Sequence, residues 1–131
     1  MKTPAVKVTA NVMSEVVTVV QSFGVPSHIL GYEYIKTAVC CLVEHPDYLS
    51  KITQKLYPFV AEEHGSTQSR VERAIRHAIE IAFNRTDPDF LEKLYGGFVP
   101  AEKGRITNSE FLALLAERVR MKIGAYNASM V

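Results

Sequence analysis

Apolar residues return every three or four positions along most of this chain, the spacing that gathers them on one side of a helix. A first helix is expected over roughly Val8 to Phe23, stopped by Gly24 with Pro26 beyond it. A second, about Gly31 to Glu44, presents Tyr34, Ile35, Ala38, Val39 and Leu42 to a core. Pro46 opens a third segment, about Asp47 to Leu56, because proline is tolerated in a helix's first turn. Pro58 separates that segment from a short helix reaching His64, and a longer helix follows from Ser69 to about Asn84. The run TDPDFLEKLYGG suggests a short helix capped by Thr86 or Asp87 and closed by Gly96 and Gly97, followed by FVPAEKGRI as an exposed loop. Thr107 and Glu110 form a capping-box pattern at the start of a last helix, with Phe111, Leu112, Leu114, Leu115, Val119 and Met121 available for packing. The ending GAYNASMV is expected to fray. The fold class is therefore all-α, with about six helices joined by short connections.

The stretch Ser69 to Phe83 carries the clearest division into two faces. At about 100° per residue, Val71, Ala74, Ile75, Ala78, Ile79 and Ala82 fall on one side. Arg70, Arg73, Arg76, His77 and Glu80 gather opposite, with Glu72 on a flank. Ser69 and Glu72 have capping-box spacing, although Thr67 is an alternative cap one turn earlier. A charged face on an amphipathic helix is ordinarily just solvated. What precedes it changes that expectation. YPFVAEEHG ahead of the basic helix reads as helix, tight turn, helix, with Ala61 placed where two helices would cross and Gly65 in the turn. Val71 and Ala74 anchor the second helix, while His64 and Ser66 stand where apolar residues are commoner. A helix-turn-helix unit with three arginines on its outer face points to DNA binding.

The competing reading is a helical protein-interaction module without DNA contacts, its basic helix meeting an acidic partner. Such a partner would accept lysine as readily as arginine, whereas base reading favours arginine's planar fork. Every cation on this face is Arg or His.

Length and charge add little but exclude some classes. The 131 residues suit one domain, and the net charge of +1 would not by itself suggest a DNA binder. The acidic residues lie mostly away from the basic helix, as Glu44, Asp47, Glu62, Glu63, Asp87 and Asp89. No secretory signal or membrane span is visible, so a cytoplasmic protein is expected. Cys40 and Cys41 are adjacent and point about 100° apart on a helix, which makes a mutual disulfide unfavourable; packed thiols are expected. His28, His45, His64 and His77 lack the short ligand spacing of a zinc site, and no phosphate loop or nucleophile motif occurs. Neither a metal, a cofactor nor an enzyme activity is expected.

The runs SRVERAIRHAIEIAFNR, ITQKLYPFVAEEHG, FGVPSHILGYEYIKTAV and TNSEFLALLAERVR together resemble the C-terminal effector domains of the master response regulator of endospore formation, stage zero sporulation protein A. The similarity spans about Val16 to Arg120. It implies an all-helical transcription regulator, activating some promoters and repressing others, and normally preceded by a phosphorylated receiver domain. No βα alternation of a receiver appears in this chain, which is expected to be a single effector domain over residues 1–131. The resemblance further implies a DNA box like TGTCGAA, bound as a tandem dimer, and a contact with an RNA polymerase sigma subunit through about Asn84 to Val99. Carried over position by position, Arg73 matches an arginine that reads guanine and Glu72 a glutamate near cytosine, unless Glu72 only closes the capping box. Arg70, Arg76 and His77 match the DNA-facing side, and Gln68 and Ser69 at the helix start are suited to phosphate.

Overall fold

The computed structural model describes residues 10–87, 89, 92–93 and 106–129. Among these it contains five α-helices and no strand: α1 (Ala10–Ser22), α2 (Leu30–Glu44), α3 (Tyr57–Glu63), α4 (Gln68–Arg85) and α5 (Asn108–Ser129). The all-α expectation holds, with five helices rather than about six.

Helix α2 is the hub, packed against α1, α4 and α5. Its five expected core residues, Tyr34, Ile35, Ala38, Val39 and Leu42, are all buried, and Gly31, Tyr32, Cys40 and Cys41 are buried with them. Its polar residues are confined to one edge, where Glu33 pairs with Lys36 at 3.2 Å and Glu44 is exposed. At Gly31 the crossing with α4 is so close that a Cβ would lie 2.3 Å from the Ala74 carbonyl oxygen and 2.7 Å from the Ala78 Cβ. Burial also suppresses thiol ionisation, pushing Cys40 up to about 11 and Cys41 to about 12. Both cysteines are free, as expected for packed thiols.

Gly24 ends α1 as the sequence suggests, at φ +87°. The expected third helix is different. Pro46–Lys51 is a 3-10 helix and Ile52–Leu56 a π turn that runs directly into α3, with Pro58 inside the first turn rather than between two helices. Proline has no N–H and crowds the carbonyl four residues back, and the wider turn, closed by the Tyr57 amide on the Ile52 carbonyl, accommodates it.

In α5, Phe111, Leu112, Leu115 and Val119 are fully buried and Leu114 partly so. Met121 is 61% exposed, against expectation. It stands about 200° around the helix from Val119, whereas Ala116 falls inside the buried arc. Ile106, expected in an exposed loop, is buried, and the tail expected to fray from Gly124 is helical to Ser129. After α4, the Asp87 carboxylate accepts the Asp89 amide at 2.9 Å, and Glu92 and Lys93 are helical and exposed. The remainder of that expected short helix, with Gly96, Gly97 and most of the loop, lies outside the described residues, as does the start of the first helix at Val8. No helix among the described residues is long and apolar enough to cross a membrane.

Candidate nucleic-acid interface

The turn between α3 and α4 explains how α4 is aimed. After Glu63 the chain closes with Gly65 at φ +58°, its amide 3.4 Å from the Glu62 carbonyl, and the Ser66 amide 2.8 Å from the Ala61 carbonyl. These paired bonds form a Schellman ending, which requires a residue in the left-handed region. His64 and Ser66, the two polar departures from the usual pattern, are bonded into α2: Thr37 Oγ1 lies 2.7 Å from His64 Nε2, and Tyr34 donates its hydroxyl to Ser66 Oγ at 3.0 Å. Their polarity is matched by the helix they meet, so it does not weaken the turn. Ala61 is buried beside Val60, as a helix crossing demands.

Helix α4 starts at Gln68, one residue before the expected start. Thr67 is its cap, accepting the Arg70 amide at 3.2 Å, and the Thr67 carbonyl already takes the Val71 amide at 3.0 Å. The Ser69–Glu72 capping box therefore does not form. Glu72 sits too deep in the helix to reach the cap, and its carboxylate instead pairs with Arg76 one turn on. The expected alternative role for Glu72, closing the box, is overturned by this geometry.

Val71, Ile75, Ala78, Ile79 and Ala82 are buried and Ala74 is half-buried, so one side of α4 is locked in the core. On the other side Ser69, Arg70, Arg73, Arg76 and His77 are exposed, while Glu72 is partly covered. Exposed Glu80 follows one turn after Arg76, which confines the basic surface to the first half of the helix. At the start of α4, Gln68 donates Nε2 to the Thr53 carbonyl at 2.8 Å, tying the helix to the π turn rather than leaving the amide in solvent. The backbone N–H groups of Gln68 and Ser69 have no carbonyl behind them in the helix, and the first turn contains no acid. With the helix dipole, that end attracts anions.

Asn108 is a residue that sequence reasoning missed. Its side chain bonds Tyr57 and the Glu72 backbone, 51 and 36 positions earlier in the chain, and no local periodicity reports such pairs. The Tyr57 phenol is pushed up by burial and drawn partly back by this bond. A groove of about 440 Å³ runs alongside, lined by Tyr57, Glu72, Arg76, Phe83 and Asn108 among others.

Such an array suits a polyanion with planar acceptors: bidentate forks on a rigid face, beside an amide-rich helix end. Residues 16–119 match the profile of the family described as sporulation initiation factor Spo0A C terminal.

Proposed function

The chain belongs to the Spo0A C-terminal family, the output domains of a sporulation response regulator, and from that premise we propose that α4 is a recognition helix entering the major groove of promoter DNA. The observation that carries the reading is the division of α4: three arginines and His77 exposed on one face while the opposite face is immobilised in the core. Rigid backing is what turns cations into readers of position. Arg73, directly opposite the buried stripe, donates two bonds to guanine O6 and N7, and Glu72 accepts from cytosine N4. Arg70, Arg76 and His77 reach phosphates or neighbouring bases, and Gln68 and Ser69 offer N–H groups to a phosphate at the helix start.

Glu72 and Arg76 must part for both to meet DNA. The pair is half exposed at Arg76 and about one-third exposed at Glu72, and an i, i+4 pair of that kind is worth only about 0.3–0.5 kcal/mol. A phosphate offers Arg76 a comparable partner, so the exchange costs little.

The preferred duplex contains a box resembling TGTCGAA, two copies being bound in tandem by a dimer in the cytoplasm, with activation or repression set by the promoter. Competition shift assays with box and scrambled duplexes test this. Arg73→Ala is expected to weaken box binding by about 1–3 kcal/mol while leaving weak nonspecific binding in place. Equal affinity of the wild-type protein for both duplexes would reject DNA reading and favour a protein-interaction module. A sigma-subunit contact falls on the segment containing exposed Glu92 and Lys93. Replacing both with alanine should lower transcription in vitro at unchanged promoter affinity; undiminished transcription removes them from that surface.

A further inference from the structure

Asn108, the first residue of α5, places Nδ2 3.0 Å from the Tyr57 hydroxyl oxygen in the first turn of α3 and 3.1 Å from the Glu72 carbonyl oxygen in α4. A carbonyl oxygen only accepts, so the carboxamide NH2 faces Glu72, and its two N–H groups serve both partners together. The same Glu72 oxygen receives the Arg76 amide in the regular helix, and the Asn108 bond occupies its second lone pair. Three helices thus meet at one side chain.

Asn108 is itself well held. Thr107 and Glu110 close a complete capping box around it, with bonds of 2.9 and 3.1 Å. Farther along α5, Arg120 donates Nη1 to the Leu42 carbonyl of α2 at 3.1 Å. On the α4 side the bond lands on the residue whose carboxylate pairs with Arg76, immediately before Arg73. A side-chain tip lies about 5–6 Å from its helix axis, so a rotation of about 10° moves it by about 1 Å, enough to spoil a bidentate base contact.

We propose that Asn108 is a positioning residue for base reading: by bridging Tyr57 and the Glu72 carbonyl it fixes the rotation of α4 against α3, and with it the aim of Glu72 and Arg73. This rests on the DNA-reading function above. Phosphate contacts tolerate small displacements far better than base contacts do, so losing the bridge separates the two.

The test measures affinity of the chain for a TGTCGAA-type duplex and a scrambled duplex across a salt series, for wild type, Asn108→Ala, Asn108→Asp and Tyr57→Phe, below each variant's unfolding transition. Aspartate keeps the size and suits a helix start, but cannot donate to Glu72. Both Asn108 variants are expected to lower the box-to-scrambled ratio about three- to tenfold; Asn108→Ala does so with scrambled affinity and salt slope unchanged, while the charge added by Asn108→Asp in the groove shared with Arg76 weakens both duplexes together besides. Tyr57→Phe leaves the Glu72 bond and should give a smaller drop in the same direction. A merely structural role would instead lower the melting temperature of both Asn108 variants while leaving the box-to-scrambled ratio of the folded protein at the wild-type value. A wild-type ratio in folded Asn108→Ala or in Asn108→Asp overturns the proposal; should Asn108→Ala not fold, Asn108→Asp and Tyr57→Phe decide it. Absence of any box preference in the wild-type protein counts against the parent reading alone.

Discussion

Helices α4 and α5 open on the same plan of threonine, amide, serine and a charged residue, as Thr67-Gln68-Ser69-Arg70 and Thr107-Asn108-Ser109-Glu110. In both, threonine is the cap and an amide side chain at the first helical position reaches a carbonyl on another element, Thr53 for Gln68 and Glu72 for Asn108. They part at the fourth residue. Glu110 turns back to the Thr107 amide and closes its helix end, while Arg70 leaves the corresponding end open and adds a positive charge. The carboxylate version consumes the helix's electropositive end for stability; the arginine version keeps it for an anion from outside.

Exchanging the fourth residues tests that contrast most severely. Arg70→Glu should lower affinity for every duplex by more than about tenfold, since one cation is lost and one anion gained beside the phosphates. It should also raise stability by about 0.5–1 kcal/mol, by giving α4 the box that α5 has. Binding titrations and urea unfolding read the two effects separately; a fall in stability would show that α4 cannot close in the manner of α5. The reverse exchange, Glu110→Arg, should cost about 1 kcal/mol in urea unfolding through loss of the reciprocal bond and an unfavourable charge at the helix start. Scrambled-duplex affinity should change by less than about twofold, and a large gain would mean that the α5 start also faces DNA. The gentlest comparison is between Thr67→Ala and Thr107→Ala. Each removes a cap and should lower stability by about 0.5–1 kcal/mol, but only Thr67→Ala should weaken duplex binding as well. Equal binding losses would erase the distinction between the two ends.

What the sequence disclosed was local. The stop at Gly24, the core stripe of α2, the two faces of α4 and the Thr107–Glu110 box each depend on residues within a turn or two of one another. Thr67 and Ser69 compete within the same few positions, and spacing alone favours Ser69 because a glutamate follows it. The preceding Schellman ending shifts the choice, since only Ser66 and Thr67 remain between Gly65 and the helix. The π turn was hidden because Pro58 reads equally well as a break or as a first-turn residue. The close crossing at Gly31 and the bridge at Asn108 depend on partners 36 to 51 residues away, which periodicity does not report. Of the residues proposed to face DNA, the exposure of Ser69, Arg70, Arg73, Arg76 and His77 on one side of α4 was legible, whereas the diversion of Glu72 to Arg76 and of Gln68 to Thr53 was not.

Gly65 has a consequence for chemical synthesis. Its backbone sits at φ +58°, and a Cβ built there meets nothing within 4 Å. The position therefore objects to the handedness of ordinary amino acids and not to their bulk. A D-alanine, whose mirror-image preferences favour positive φ, adopts this backbone without the conformational strain of an L residue while restricting the unfolded chain, the same entropic gain of about 0.4–1 kcal/mol that compatible glycine replacements provide elsewhere. A semisynthetic protein carrying that single inverted centre would hold α3 and α4 at the same angle by stereochemistry.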